Sequence, residues 1–209
     1  MIDAAMRRLL ARPLARIVGV IDVPWVTPDR LTLAGLILGV ASAAFAASQL
    51  WVVALVAWLV SRLCDGLDGS LARTRRAANS GTRHSEAGGF LDIVADFIVY
   101  GATVFGVAMG AAAEFGAPWW PFLLVLLAYY VNGAAFLAFS SIAERADRQI
   151  DDGRSLSFLG RITEGTETIF VHSLWLIAPA LAWQIAIVWA VFVAVSATQR
   201  VVVGYRLLR

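Results

Sequence analysis

The sequence contains no lysine, one cysteine and two histidines, and only 15% of its 209 residues are charged. The lone Cys64 excludes an internal disulfide and cannot by itself form a thiolate metal site. It reads as a small apolar residue on a buried helix face. No internal repeat and no low-complexity linker interrupts the chain. The first residues lack a compact apolar region ahead of a small-residue cleavage site, and arginine recurs through Arg16, so no cleaved signal is expected. A net charge of +2, with no soluble basic region to carry it, argues against nucleic acid as a partner.

What is present is apolar. The chain is 60% hydrophobic with a mean hydropathy of +0.75, against about 45–50% apolar and about 25% charged residues in a soluble globular protein. Six apolar stretches approach the roughly 20 residues that cross hydrocarbon, near 31–49, 50–71, 89–112, 119–141, 164–181 and 183–203. Before them Ile2, Met6, Leu9, Leu10, Leu14 and Ile17 form one stripe and Arg8, Arg12 and Arg16 another, the pattern of a helix lying at the headgroups. Pro13 is expected to bend or divide that helix. The sequence therefore predicts an all-α integral membrane protein, six transmembrane helices preceded by an amphipathic interfacial helix. It forms one domain over 1–209, with 1–24 juxtamembrane and 31–203 the six-helix bundle.

Orientation follows from arginine, which short cytoplasmic loops collect. Arg7, Arg8, Arg12, Arg16 and Arg30 precede the first span, Arg73, Arg75, Arg76 and Arg83 follow the second, and Arg145, Arg148, Arg154 and Arg161 follow the fourth. Arg206 and Arg209 end the chain, whereas the opposite loops carry Gln49, Glu114 and Pro179. The expectation is a multi-pass protein of the cell (inner) membrane with both termini cytoplasmic. Trp25, Trp51, Trp119, Trp120 and Trp183 fall near span ends, as an aromatic belt does.

Four aspartates stand where charge is costly, at about 2.5–3.5 kcal/mol each on insertion scales. Asp65 and Asp68 are three apart near the end of the second span, and Asp92 and Asp96 are four apart in the third. Each pair shares a helix face, and a short connection predicts antiparallel neighbours whose carboxylates converge. Such a cluster repels itself unless groups protonate or cations bind. Hard oxygen donors without nearby His or Cys favour Mg2+ or Mn2+; the alternative is an aspartate network bonded to backbone or to arginines. Gly66 and Gly69 leave the backbone open to close approach. Arg73, two turns beyond Asp65, offers a guanidinium suited to phosphate. Together they imply a metal-bound pyrophosphate at the membrane surface.

At these residues the chain resembles the CDP-alcohol phosphatidyltransferase family, whose signature is Asp-x2-Asp-Gly-x2-Ala-Arg followed by Gly-x3-Asp-x3-Asp. Here it reads Asp65, Asp68, Gly69, Ala72, Arg73, then Gly88, Asp92, Asp96. The resemblance implies metal-dependent transfer of a phosphatidyl (phosphoalcohol) group from a CDP-alcohol such as CDP-diacylglycerol to a hydroxyl acceptor, releasing CMP, in phospholipid biosynthesis. It implies two ions, Mg2+ or Mn2+, one held by Asp65, Asp68 and Asp92 and the other by Asp65, Asp92 and Asp96. Asp96 would also be the catalytic base, and Gly69 and Arg73, with Asp65 close by, would contact the CDP group. The stretch from Thr27 to Thr32, with Asp29 and Arg30, looks like the family's nucleotide-touching segment at the first span; Thr27 and Thr32 also read as plain helix caps. The gap from Arg73 to Gly88 is longer than the family's usual one, so the 74–87 loop carries no assignment, and Asp29 replaces a usual asparagine.

Two rivals belong to other classes. An intramembrane prenyltransferase also binds Mg2+ and pyrophosphate through Asp-rich motifs, but would ordinarily need more spans and would lack Gly69, Ala72 and Arg73 beside them. A non-enzymatic ion-coupled transporter would show a broken helix repeated in both halves, and no such repeat is visible. Metal-dependent CMP formation separates the enzyme from both. The acceptor is expected to be read at the start of the fifth span, by Glu164, Glu167 and Thr168 with His172 further in. Carboxylates there would favour a polyol or amine-bearing alcohol, unless they pair with Arg145, Arg154 or Arg161 in the headgroup layer; Arg154 and Arg161 would instead clamp an acceptor phosphate. His84 reads as a solvated loop residue. Gly101, Gly106 and Gly110 would permit close helix packing, and with it the homodimer common in the family.

Overall fold

A computed structural model describes residues 13–78, 86–145 and 165–209, and every regular element among them is helical. The elements are α1 (13–21), α2 (Pro28–Ala47), α3 (Trp51–Ala78), α4 (Glu86–Phe115), α5 (Trp120–Arg145), α6 (Gly165–Ile177), a 3-10 turn (Pro179–Leu181) and α7 (Ala182–Leu208). Four helical stretches among the described residues are long and apolar enough to cross a membrane: Pro28–Ala47, Glu86–Phe115, Trp120–Ile142 and Pro179–Leu208.

Two of the expected spans take a different form. α3 does not stop near residue 71 but runs on to Ala78, so Arg73, Arg75 and Arg76 sit on a continuous helix. Arginine and alanine are good helix formers, and leaving the hydrocarbon does not end a helix. The stretch expected at 164–181 is a 13-residue α6, then Ala178 and a 3-10 turn opened by Pro179. Proline removes a donor and disfavours helix at the residue before it. A helix of that length covers about 20 Å, short of the roughly 30 Å hydrocarbon core.

α1 begins at Pro13, where a first-turn proline costs no hydrogen bond. Residues 1–12 of the expected interfacial helix lie outside the described residues. α1 docks on the far end of α3: Val18 is buried against Leu67 and Leu71, with Leu14 and Ile21 at the edge. Arg75 closes the contact, bonding Asp22 at 2.7 Å and the Val23 carbonyl at 3.0 Å. Leu14 also lies 3.5 Å from where a Cβ on Gly66 would project, an ordinary contact distance, so α1 packs over this glycine without requiring it.

α2 is the central post. It packs closely along both α3 and α4, whereas α3 and α4 hardly touch backbone to backbone. Small residues allow this: a side chain at Gly106 or Gly110 would run into the carbonyls of Ala43 or Ala46, and one at Gly39 into Val99. Gly106 and Gly110 are therefore spent against α2, and of the three glycines expected to permit close packing Gly101 has open space beside it, with nothing within 4 Å. Polar stitches reinforce the seam, from Ser42 to the Ala54 carbonyl at 2.7 Å and from Ser61 to the Gly35 carbonyl at 2.6 Å. Such bonds are worth about 0.6 kcal/mol each in a bilayer, up to about 1.7.

α5 and α7 pack together on the other side, and α6 fills the centre. Trp25, Trp119 and Trp120 are exposed, whereas Trp58, Trp175 and Trp189 are buried in the core. Their indoles surround His172, which is fully buried, with its ring 5.0 Å from Trp58 and 4.6 Å from Trp175. His172 Nε2 lies 2.9 Å from the Tyr129 hydroxyl, which accepts the Trp189 indole N–H at 2.7 Å. His172 thus belongs to an internal network rather than to the mouth of the site.

Candidate functional site

The two aspartate pairs meet because α2 holds α3 and α4 apart at a fixed spacing, leaving a cleft between their polar ends. Across it Asp65, Asp68 and Asp92 each bring one carboxylate oxygen within 4.8 Å of the others. This donor set is all oxygen and all acidic, which fits a hard divalent cation. Asp68 is the deepest, 5% exposed, and accepts a short hydrogen bond from the Thr32 hydroxyl on α2. The Pro28 carbonyl lies 3.1 Å from the same hydroxyl. Thr32 is therefore not a plain cap; its hydroxyl orients the Asp68 carboxylate, as a group placed behind a metal ligand would.

Asp96 stands outside that trio. Its Oδ1 accepts from Arg62 Nη1 at 2.7 Å, and the same nitrogen lies 3.9 Å from Asp65 Oδ1. Both readings of the carboxylates thus have a share: three gather closely enough to hold a cation, and the fourth is bonded to an arginine. Neither the signature nor the loop-charge pattern singles out Arg62, yet it is a cation in mid-helix, one turn before Asp65. The cost of a charge within a span was signal enough. Its guanidinium carbon lies 5.2 Å from the Trp58 ring centroid and 5.1 Å from that of Tyr100, and Nη2 bonds Ser61 at 3.1 Å. Cation–π contacts of this kind contribute about 0.5–2 kcal/mol, most when desolvated.

The remaining expected residues line the outer side. A Cβ on Gly69 would lie 3.2 Å from Arg73 Nη1, so the glycine leaves room for that guanidinium to fold back over the helix. Thr27 caps α2 by accepting the Arg30 backbone N–H at 3.3 Å, as a capping threonine does. Asp29 and Arg30 sit exposed in the first turn, with Arg30 donating to the Trp25 carbonyl at 2.6 Å. The contacts that hold Arg30 are local, to Thr27 and Trp25. Glu167 and Thr168 lie half-buried in the first turn of α6. Glu164, Arg148, Arg154, Arg161 and His84 lie outside the described residues.

The chain is similar to known proteins in sequence and in fold. The family model for CDP-alcohol phosphatidyltransferase matches residues 25–198. The inner membrane protein YnjF of Escherichia coli K12 is 38% identical over 96% of this chain and 100% of its own length. The archaetidylinositol phosphate synthase of Pyrococcus horikoshii is 29% identical over 69% of this chain and 77% of its own length. In fold, the chain is similar to the Mycobacterium tuberculosis phosphatidylinositol phosphate synthase solved with CDP-DAG bound, at a TM-score of 0.67, 21% identity and 94% of each chain. With three of its signature aspartates gathered within 4.8 Å and the match running through most of its length, this chain belongs to the CDP-alcohol phosphatidyltransferase family.

Proposed function

We propose that this protein transfers a phosphatidyl group from CDP-diacylglycerol to a small hydroxyl acceptor at the cytoplasmic face of the cell membrane, releasing CMP. The observation that carries the reading is the convergence of Asp65, Asp68 and Asp92 within 4.8 Å at the polar end of a membrane bundle. A lipid donor fits that place, with its pyrophosphate at the carboxylates and its acyl chains between helices. The CDP-DAG bound to the structural neighbour supports the donor class.

The acceptor oxygen attacks the phosphorus that carries the lipid, and the bond to the CMP oxygen breaks. Asp65, Asp68 and Asp92 would hold one divalent ion, Mg2+ or Mn2+, and Asp65, Asp92 and Asp96 would hold a second. Bound there, the ions neutralise the pyrophosphate and the charge that develops on the attacking and leaving oxygens. Asp96 takes the acceptor proton as general base. Arg73, with room given by Gly69, binds a donor phosphate. Asp29 and Arg30, exposed at the start of α2, edge the nucleotide.

All six helices α2 to α7 belong to the membrane bundle in this reading, α3 by its apolar first half and α6 together with the following 3-10 turn. Arginines at the matching ends of α2, α3 and α7 favour cytoplasmic termini. A homodimer is proposed through a face outside the α2–α4 seam. Inositol phosphate heads the acceptor candidates because the archaeal relative and the structural neighbour are named for inositol phosphate products. Purified protein in liposomes should release CMP from CDP-diacylglycerol with Mg2+ or Mn2+, in a panel of inositol phosphate, glycerol 3-phosphate, inositol, serine and glycerol. Undiminished turnover in excess EDTA would sink the metal-dependent reading.

A further inference from the structure

Arg62 is the charged group that the reaction above leaves without a task. Its side chain is 6% exposed, and it does not extend toward the headgroups as long cationic side chains near a membrane surface do. Three helices fix it instead. Nη1 bonds Asp96 of α4 at 2.7 Å, and Nη2 bonds Ser61 at 3.1 Å, whose hydroxyl is itself anchored on the Gly35 carbonyl of α2 at 2.6 Å. The guanidinium is flanked by Trp58 and Tyr100, and behind those rings His172 of α6 stacks on Trp58 and meets Tyr100 edge-on at 5.5 Å.

The aspartate so held is not buried with it. The Asp96 side chain keeps 36% of its surface exposed, so tying Oδ1 to Arg62 does not bury the carboxylate. A guanidinium does not deprotonate in proteins, so Arg62 cannot serve as the base. What it does control is direction. A lone aspartate turns freely about its side-chain bonds, and misplacing a reacting group by about 1 Å costs about 100-fold in rate.

We propose that Arg62 is a positioning residue: by holding Asp96 Oδ1 it presents Asp96 Oδ2 to the acceptor hydroxyl. This rests on the reading of Asp96 as the proton acceptor. Arg62 makes no hydrogen bond to Asp65, Asp68 or Asp92, its nearest approach being an ion pair with Asp65 at 3.9 Å, so the trio that would hold the first ion does not depend on a hydrogen bond from it.

The test compares the parent protein with Arg62→Met, Arg62→Lys, Asp96→Asn and the Arg62→Met/Asp96→Asn double variant, each purified into liposomes with CDP-diacylglycerol and its best acceptor. Arg62→Met should lower kcat about 10–100-fold while the KM for donor stays within about twofold of the parent's. Arg62→Lys, which keeps the charge but not the planar fork, should fall between the two. In the Asp96→Asn background, Arg62→Met should cost nothing further, because the group it positions is gone. Mn2+ titrated against Arg62→Met and followed by electron paramagnetic resonance should bind as tightly as to the parent, or more tightly. A parent-like kcat in Arg62→Met, a full additional loss in the Asp96→Asn background, or weakened Mn2+ binding each overturns the proposal. Should Arg62→Met not fold, Arg62→Lys decides alike: lowered kcat at unchanged KM supports it, and parent-like kcat overturns it. If the parent itself makes no CMP with metal present, what fails is the transfer reading beneath it.

Discussion

Thr32 of α2 donates its hydroxyl proton to Asp68 of α3, across 36 residues of sequence. The helix that forms the central post of the bundle thus also aims the most buried carboxylate of the cleft. Removing the hydroxyl while keeping the side chain's shape isolates that contribution.

Thr32→Val is expected to weaken Mn2+ binding about 10–100-fold, the usual cost of losing a group that orients a metal ligand, with little change in thermal stability. Thr32→Ser should restore most of it. Isothermal titration of Mn2+ checks this, and equal affinity in Thr32→Val would show that Asp68 needs no such support.

Asp65→Ala, Asp68→Ala and Asp92→Ala are each expected to abolish CMP release, and a double variant should lose no more than a single one. Carboxylates that share cations fail as a unit, so their losses do not add. Residual metal-stimulated turnover in Asp92→Ala would confine the ligand set to α3.

Arg73→Ala is expected to raise the dissociation constant for CDP-diacylglycerol about tenfold or more, in line with a hydrogen bond between charged groups, and to change kcat less. Gly69→Ala places a Cβ 3.2 Å from the Arg73 Nη1 atom, the far end of a flexible side chain, so its effect should be the smaller of the two. Titration of both variants with donor settles the order; tight binding by Arg73→Ala would remove Arg73 from the phosphate.

Gly106→Ala sets a methyl group against the Ala43 carbonyl at the α2–α4 seam. It should lower stability by about 1–3 kcal/mol, as overpacking does, whereas Gly101→Ala, with open space beside it, should be neutral or stabilising. Thermal midpoints in detergent compare the two. An equal loss in both would mean that Gly101 also faces a packed surface, such as a second copy of the chain.

The sequence by itself determined the helical membrane character, because apolar run length and the scarcity of charge are properties of composition and order that no folding partner alters. It also determined the four aspartates, since their spacing places each pair on one helix face and their cost in hydrocarbon marks them out. The extension of α3 to Ala78 and the break at Ala178 were harder to read, because hydropathy measures where a chain leaves the membrane and not where a helix ends. Only the tertiary structure decided which groups meet across helices. It turned Thr32 from a cap into the partner of Asp68, drew Gly106 into the α2–α4 seam and paired Asp96 with Arg62. Those pairings depend on how α2 stands between α3 and α4, and helix-to-helix placement is set by the fit of side chains over long sequence separations, which a one-dimensional pattern does not contain.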